Sequence, residues 1–392
     1  MKNSFLKLFG LFTMSAAVLT SCTKSEDDEP TPPSSSFVAD ANNFQGNIND
    51  GTVTLNASSV YKLTGKIQVN AGATLIIPAG TRIEGTNGTS SYIAVAQGGK
   101  INVLGTAANP VVFTSGKATK AAGDWGGLVI CGKAPINIGS VTAQSEVADL
   151  TYGGTIANDN SGTIQYLRIE YAGAAFNATK EFNGLSFFGV GSGTIVENVQ
   201  PLHGADDGFE FFGGTVNTSN LVAIGNEDDQ FDWTEGWNGT NTNWYGKLDF
   251  GKGNRGIEAD NYEFNFDATP TSNPTITNLT LIGPGSAADT NIYTENQAIK
   301  LRRGTKGIFT NVFLKDFKTG IDVEHDQTIS YVANATLKAT TVGYDGVTTP
   351  TKGKKTDGTS ADVTAVATEG TATGAGNGAA APSWATQWAV GF

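Results

Sequence analysis

Gly184-Leu185-Ser186-Phe187-Phe188, Gly208-Phe209-Glu210-Phe211-Phe212 and Gln230-Phe231-Asp232-Trp233-Thr234 are copies of one short strand, and their spacing decides the fold. The pattern continues as Gly256-Ile257-Glu258-Ala259-Asp260, Ala298-Ile299-Lys300-Leu301-Arg302 and Gly320-Ile321-Asp322-Val323-Glu324, with successive offsets of 24, 22, 26, 42 and 22 residues. Alternate side chains of a strand face opposite ways. Leu185, Phe209, Phe231, Ile257, Ile299 and Ile321 therefore form one inward column, with Phe187, Phe211, Trp233, Ala259, Leu301 and Val323 beside it. An offset near 22 residues matches one coil of a parallel β-helix, and the step of 42 holds an inserted loop or an extra coil. Stacked coils bury an apolar column that no single coil can bury alone. Each aromatic in it contributes a few kcal/mol at about 25 cal/mol per Å2, before entropy is subtracted.

A second repeat supports the same reading. A Thr-aliphatic pair followed by Gly occurs as Thr163-Ile164…Gly173, Thr194-Ile195…Gly204 and Thr215-Val216…Gly225. Upstream, Val60-Tyr61-Lys62-Leu63, Leu75-Ile76-Ile77 and Ile101-Asn102-Val103 alternate in the same way, with Pro78-Ala79-Gly80-Thr81 as a turn. The expected architecture is all-β: a right-handed, single-stranded parallel β-helix over residues 46–345 with inserted loops. A propeller or sandwich would also repeat, but coils of near-constant length favour the solenoid. Residues 346–392 read as a low-complexity segment followed by a cap, with Trp384, Trp388 and Phe392 packing over the open end.

Only 16% of residues are charged and 50 are glycine, as expected of strands and tight turns rather than amphipathic helices. Lys2 and Lys7 precede an apolar stretch too short to span a bilayer, and Leu19-Thr20-Ser21-Cys22 reads as a lipobox. Residues 1–21 are thus expected to be a signal peptide and Cys22 the lipidated residue. Residues 22–45, acidic and rich in Pro and Ser, form a tether. Removing Lys2 and Lys7 takes the formal charge from −12 to −14, which argues against nucleic acid and is compatible with divalent cations. Cys131 lies in Gly127-Leu128-Val129-Ile130-Cys131 and reads as a buried free thiol.

Several motifs carry a family resemblance: Ala73-Thr74-Leu75-Ile76-Ile77-Pro78-Ala79-Gly80-Thr81, Gly123-Asp124-Trp125-Gly126-Gly127, Asp206-Asp207-Gly208-Phe209-Glu210-Phe211-Phe212-Gly213-Gly214 and Glu227-Asp228-Asp229-Gln230-Phe231-Asp232-Trp233. The chain resembles a family of parallel β-helix surface lipoproteins from Bacteroidota and marine bacteria. The acidic run after Cys22 likewise resembles a surface-export signal of Bacteroidota lipoproteins. The resemblance implies an outer-membrane protein exposed on the cell surface and brings no activity. The fold is also that of pectate lyases and polygalacturonases, which is analogy at the level of fold.

The outward members of the repeated strand form a column of their own: Ser186, Glu210, Asp232, Glu258, Lys300 and Asp322. Asp206-Asp207 and Glu227-Asp228-Asp229 precede two of these strands at equivalent turn positions. Coils lie about 4.8 Å apart, and neighbouring carboxylates at about 5 Å repel by about 1 kcal/mol even in water. Three readings follow. The carboxylates are a solvated face that caps turn N–H groups, or they hold Ca2+ through Asp206, Asp207, Glu210, Asp228, Asp229 and Asp232. The third reading is catalytic, with Glu210, Asp232 and Glu258 as acid and base on a glycosidic bond, or with Ca2+ neutralising a uronate while Lys300 or Arg302 abstracts a proton. His203-Gly204 comes before the Asp pair and Ile299-Lys300-Leu301-Arg302 is a loose echo, so the order of a polygalacturonase site is not met. Trp233, Trp237, Trp244 and Tyr245 are candidates for a sugar-stacking platform.

The first functional expectation is a non-enzymatic, Ca2+-stabilised surface lipoprotein that binds a polysaccharide or an outer-membrane protein partner. A polysaccharide lyase or glycoside hydrolase is the alternative, and a structural or adhesive module the third.

Overall fold

From Phe44 onward the chain winds as a parallel β-helix, in a computed structural model that describes residues 33–392 apart from Ala178, Phe250 and Thr294. The proposed signal peptide, Cys22 and the tether as far as residue 32 lie outside the described residues. Among the described residues no helix is long and apolar enough to cross a membrane.

One face carries the repeated strand of the sequence. Ile93–Val95, Leu128–Cys131, Leu185–Phe188, Phe209–Phe212, Phe231–Thr234, Arg255–Ala259, Gln297–Leu301, Thr319–Glu324 and Thr349–Lys354 stack in that order. Their register pairs Leu185 with Phe209, Phe209 with Phe231, Phe231 with Ile257, Ile257 with Ile299 and Ile299 with Ile321, as the alternation requires. The 42-residue step is one coil with insertions, because Ile257 pairs directly with Ile299.

The other two faces are separate strands in the early coils and fuse later. Gly162–Glu170 pairs with both Lys100–Leu104 and Val111–Ser115, and each later coil has one such bent strand, among them Ile195–Leu202, Asn217–Ile224, Thr240–Lys247, Thr275–Ile282 and Gly307–Lys315. The bend is a residue in the left-handed region: Asn198, Asn220, Asn243, Asn278 and Asn311, with φ between 57° and 61°. Asparagine tolerates that conformation better than other side chains. The carboxamides stack into a ladder, each Nδ2 donating to the Oδ1 of the coil before it at 2.8–3.1 Å. Asn243→Ala is expected to cost about 2 kcal/mol in chemical denaturation, from the strained backbone and two orphaned amide groups. Asn243→Gly, which relieves only the backbone part, should lie between the two.

The core is a stack of rings inside the coils. Phe187 lies on Phe211 at 4.9 Å, Phe211 on Trp237 at 4.0 Å, and Phe231 on Trp244 at 4.4 Å. At the amino-terminal end Phe37, Ala39 and Ala41 pack against the core; toward the carboxyl terminus Val363 and Val366 are buried in it.

The carboxy-terminal segment departs from the expectation in two ways. Thr349–Lys354 and Ala367–Glu369 are parallel strands of the helix, so the coil runs past residue 345. Thr and Lys at outward positions give that stretch the composition of a loop. The final residues, moreover, do not close the end. Trp388 packs on Leu202, Val222, Ile224 and Tyr245, on the outer flank of the bent strands. Gln200 holds Val390 there through both its main-chain groups, at 2.6 and 2.9 Å. Val222 and Tyr245 are outward-facing apolar residues of their strands, and the tail covers them.

Candidate functional site

The outward column of the repeated face pairs Ser186, Glu210, Asp232, Glu258, Lys300, Asp322 and Lys352 across successive coils. Before Ser186 the outward residues are Ala94 and Val129, and they are covered. Residues 132–161 leave the coil and fold back, laying Ile136, Val147 and Tyr152 on Cys131, Phe188 and Phe212. Cys131 is buried there, and burial pushes its thiol up to about 12, so it is an inert structural group. The charged column opens where this insertion ends. A cleft of about 330 Å3 lies between it and the loop after Ala259, lined by Glu146 and Tyr152 on one side, Tyr262 and Glu263 on the other, and Glu210, Asp232 and Glu258 at the base.

The column divides into two electrostatic halves. From Glu258 onward, charges are matched. Arg255 reaches Asp229 at 3.2 Å and also pairs with Glu258, while Arg302 pairs with Glu258 and with Asp260 at 2.8 Å. Lys300, almost fully buried, lies 2.8 Å from Glu324 and 3.6 Å from Asp322, and Lys352 is 3.1 Å from Asp322. Lys300 is thus enclosed by carboxylates and does not face a substrate as a free amine.

The other half has acids without bases. Asp206, Asp207, Glu210, Asp228 and Asp232 make no ion pair among the described residues. Burial first, and then the neighbouring carboxylates, push Asp207, Glu210 and Asp232 well above the usual carboxylate range, with Arg302 partly offsetting this at Asp232. The same causes, burial and then Asp228, raise Asp206 to about 8. Asp207, Glu210 and Asp232 each offer an oxygen within 4.8 Å of the others, and so do Asp206, Asp207 and Asp228. A third such group, Asp229, Asp232 and Glu258, already has two guanidiniums on it.

Some of these carboxylates also cap the backbone, as the solvated-face reading expects. Asp207 Oδ1 accepts the Asp229 N–H at 2.9 Å, and Asp229 Oδ1 accepts the Arg255 N–H at 2.7 Å. Asp207 leaves a second oxygen, whereas Asp229 Oδ2 takes the Arg255 guanidinium at 3.2 Å. Asn183 stands one coil earlier at the same position; its Nδ2 donates to Glu210 Oε2 at 2.7 Å. Its Oδ1 is buried and has no hydrogen-bond partner, in a residue only 1% exposed. An unsatisfied acceptor beside uncompensated carboxylates is a donor set for a hard cation, which takes carboxylate and amide oxygens together.

The aromatic platform expected from the sequence is not at the surface. Trp233, Trp237 and Trp244 are completely buried in the core stack, and Tyr245 lies beneath the tail. The Gly/Asn/Thr-rich run around Trp237 and Trp244 is the turn and the bent strand Thr240–Lys247. Sequence reasoning also missed Asn183, Arg255, Glu146, Tyr152 and Glu235. The first two were accessible, since they share the turn position of Asp207 and Asp229. Glu146 and Tyr152 belong to an insertion with no repeat to align. Tyr152 donates to Glu235 at 2.6 Å, and burial raises both Glu146 and Glu235 to about 7. His203 is half-buried against Tyr171, and His325 accepts the Arg303 N–H at 3.1 Å.

A family model described as a pectate-lyase-like β-helix domain matches residues 46–389. Comparison with curated proteins and with solved structures gives no match.

Proposed function

Because the chain belongs to the pectate-lyase-like β-helix family, we propose that it is a lipid-anchored, non-enzymatic surface protein that holds Ca2+ on its acidic coils and binds glycan in the adjoining cleft. The observation that carries this reading is the set Asp207, Glu210 and Asp232 beside the Asn183 carboxamide, whose Oδ1 is unpartnered, with Glu210 and Asp232 at the base of an open cleft. Buried carboxylates without partners are costly, and Ca2+ accepts six to eight oxygens in flexible geometry. A bound ion would tie the coils of Asn183, Asp207–Glu210 and Asp232 together. The anchor at Cys22 and the outer-membrane location rest on the lipobox and the acidic run after it. An outer-membrane protein is the alternative partner for the same face.

Electrophoresis through gels cast with mannan, xylan, β-glucan, polygalacturonate or alginate tests the reading. At least one polysaccharide should retard the mature protein in Ca2+, and EDTA should weaken the effect. Free migration through all of them would overturn glycan binding.

One observation favours a second, catalytic reading. Glu146 and Glu235 are carboxyl groups in the cleft held near neutrality, the range a general acid needs. Hydrolysis would release reducing ends and be abolished in Glu235→Gln. A lyase has less support, because Lys300 is enclosed by Glu324 and Asp322.

A further inference from the structure

We propose that the cleft takes an uncharged glycan, with a sugar ring against Tyr262 and Phe264 and its hydroxyls donating to the carboxyl groups behind them. The inference rests on the glycan-binding reading above and names its substrate class. Two independent features carry it, one aromatic and one electrostatic.

The loop between Ala259 and Thr275 holds Tyr262-Glu263-Phe264 at the rim of the cleft. Tyr262 lines the cleft and is half-buried, and Phe264 beside it is 78% exposed. Their ring centroids are 5.5 Å apart at an interplanar angle of 77°. Among the described residues Phe264 is the one exposed phenylalanine, and the others are buried or partly buried. An aromatic surface at the mouth of a polar cleft can take the C–H face of a pyranose, while the cleft supplies acceptors for the hydroxyls. The platform looked for at Trp237 and Trp244 therefore has a counterpart on this loop.

Charge selects the kind of sugar. Seven carboxyl groups line the cleft against two guanidiniums, and no lysine lines it. Neither guanidinium is free: Arg302 and Arg303 both hold Asp260, at 2.8 and 2.7 Å, and Arg302 also pairs with Glu258. A uronate or sulfate entering here meets carboxylates and no available cation. One divalent ion on Asp207, Glu210 and Asp232 would still leave carboxylates in excess even with Glu146 and Glu235 uncharged, since those three outnumber its two charges and Glu258, Asp260 and Glu263 outnumber the two arginines. Each ionised carboxylate repels an incoming anion even at the dielectric of water. A neutral sugar meets no such barrier.

The test is calorimetric titration of the mature protein in Ca2+ with hexasaccharides of two kinds: neutral ones from mannan, xylan and β-glucan, and anionic ones from polygalacturonate and alginate. A neutral hexasaccharide should bind, and the anionic ones should bind at least about tenfold more weakly, a difference of about 1.4 kcal/mol. Phe264→Ala and Tyr262→Ala should each lower the neutral affinity by about tenfold or more. The unfolding midpoint of Phe264→Ala should not change, because the ring is exposed. Preferential binding of an anionic hexasaccharide, or neutral binding unchanged in both variants, would overturn this inference and leave glycan binding standing. Binding of no hexasaccharide of either kind, together with free migration through every polysaccharide gel, would overturn both.

Discussion

At pH 8, Ca2+ added to the EDTA-treated mature protein should raise its unfolding midpoint by about 3–4 °C. An ion present at about a hundred times its dissociation constant stabilises the folded state by about 2.7 kcal/mol, and each kcal/mol moves the midpoint of a chain this long by roughly 1.3 °C. The pH dependence has a definite sign. Glu146 and Glu235 are raised to about 7 and Asp206 to about 8, above their ordinary values of 4.5 and 3.8. Between those ordinary values and the raised ones, the folded chain holds protons that the unfolded chain has released. Stability without metal therefore falls as pH rises from about 5 to 8, and the contribution of these groups is fullest below that window. Metal needs the deprotonated carboxylates, so the Ca2+ increment should be small at pH 5 and largest at pH 8. Asp207→Asn/Glu210→Gln should stabilise the metal-free protein at pH 8 and remove the response to Ca2+. Thermal unfolding at pH 5, 6.5 and 8, with EDTA or with millimolar Ca2+, checks each part. A metal-free stability that rises with pH, or an unchanged midpoint with Ca2+ at pH 8, would leave the acidic coils as a backbone-capping face.

How far the site could be read from sequence depends on which residues repeat. Glu210, Asp232, Glu258, Lys300 and Asp322 fall on one outward column because a period-2 pattern, once set to coils of about 22 residues, fixes both face and register. The same alignment puts Asn183 and Arg255 in the turn column of Asp207 and Asp229, where a single pass for acidic residues overlooks them. The asparagine ladder was also present in the spacing. Its meaning depends on knowing that the position is a left-handed bend, and a strand pattern read for hydrophobicity alone does not reveal that. Insertions are a different matter. Residues 132–161 and 260–274 form the two walls of the cleft, and neither carries a period to place it against a coil. Tyr152 meets Glu235 across 83 positions of sequence, a contact only the folded chain defines.

Trp237→Ala should cost about 3–5 kcal/mol and lower the unfolding midpoint by about 4–7 °C, the loss of a large ring from a packed core. Trp237 is completely buried, lies 4.0 Å from Phe211, and donates its indole N–H to the Val216 carbonyl at 3.2 Å. Truncation removes the ring contacts, opens a cavity between coils and leaves that carbonyl without its donor. Trp237→Phe keeps most of the stacking and loses the hydrogen bond, so it should recover more than half of the deficit. The sequence allowed this tryptophan to be a sugar platform, and a platform residue would behave in the opposite way. Its removal would weaken glycan binding and leave the midpoint unchanged, the outcome expected instead of Phe264→Ala. The contrast follows from chemistry common to both positions, since an aromatic ring stabilises whatever surface excludes water from it. At 237 that surface is the core, through Phe211 of the preceding coil and Trp233 of its own. At 264 no coil covers the ring, and the surface that can cover it must come from a ligand.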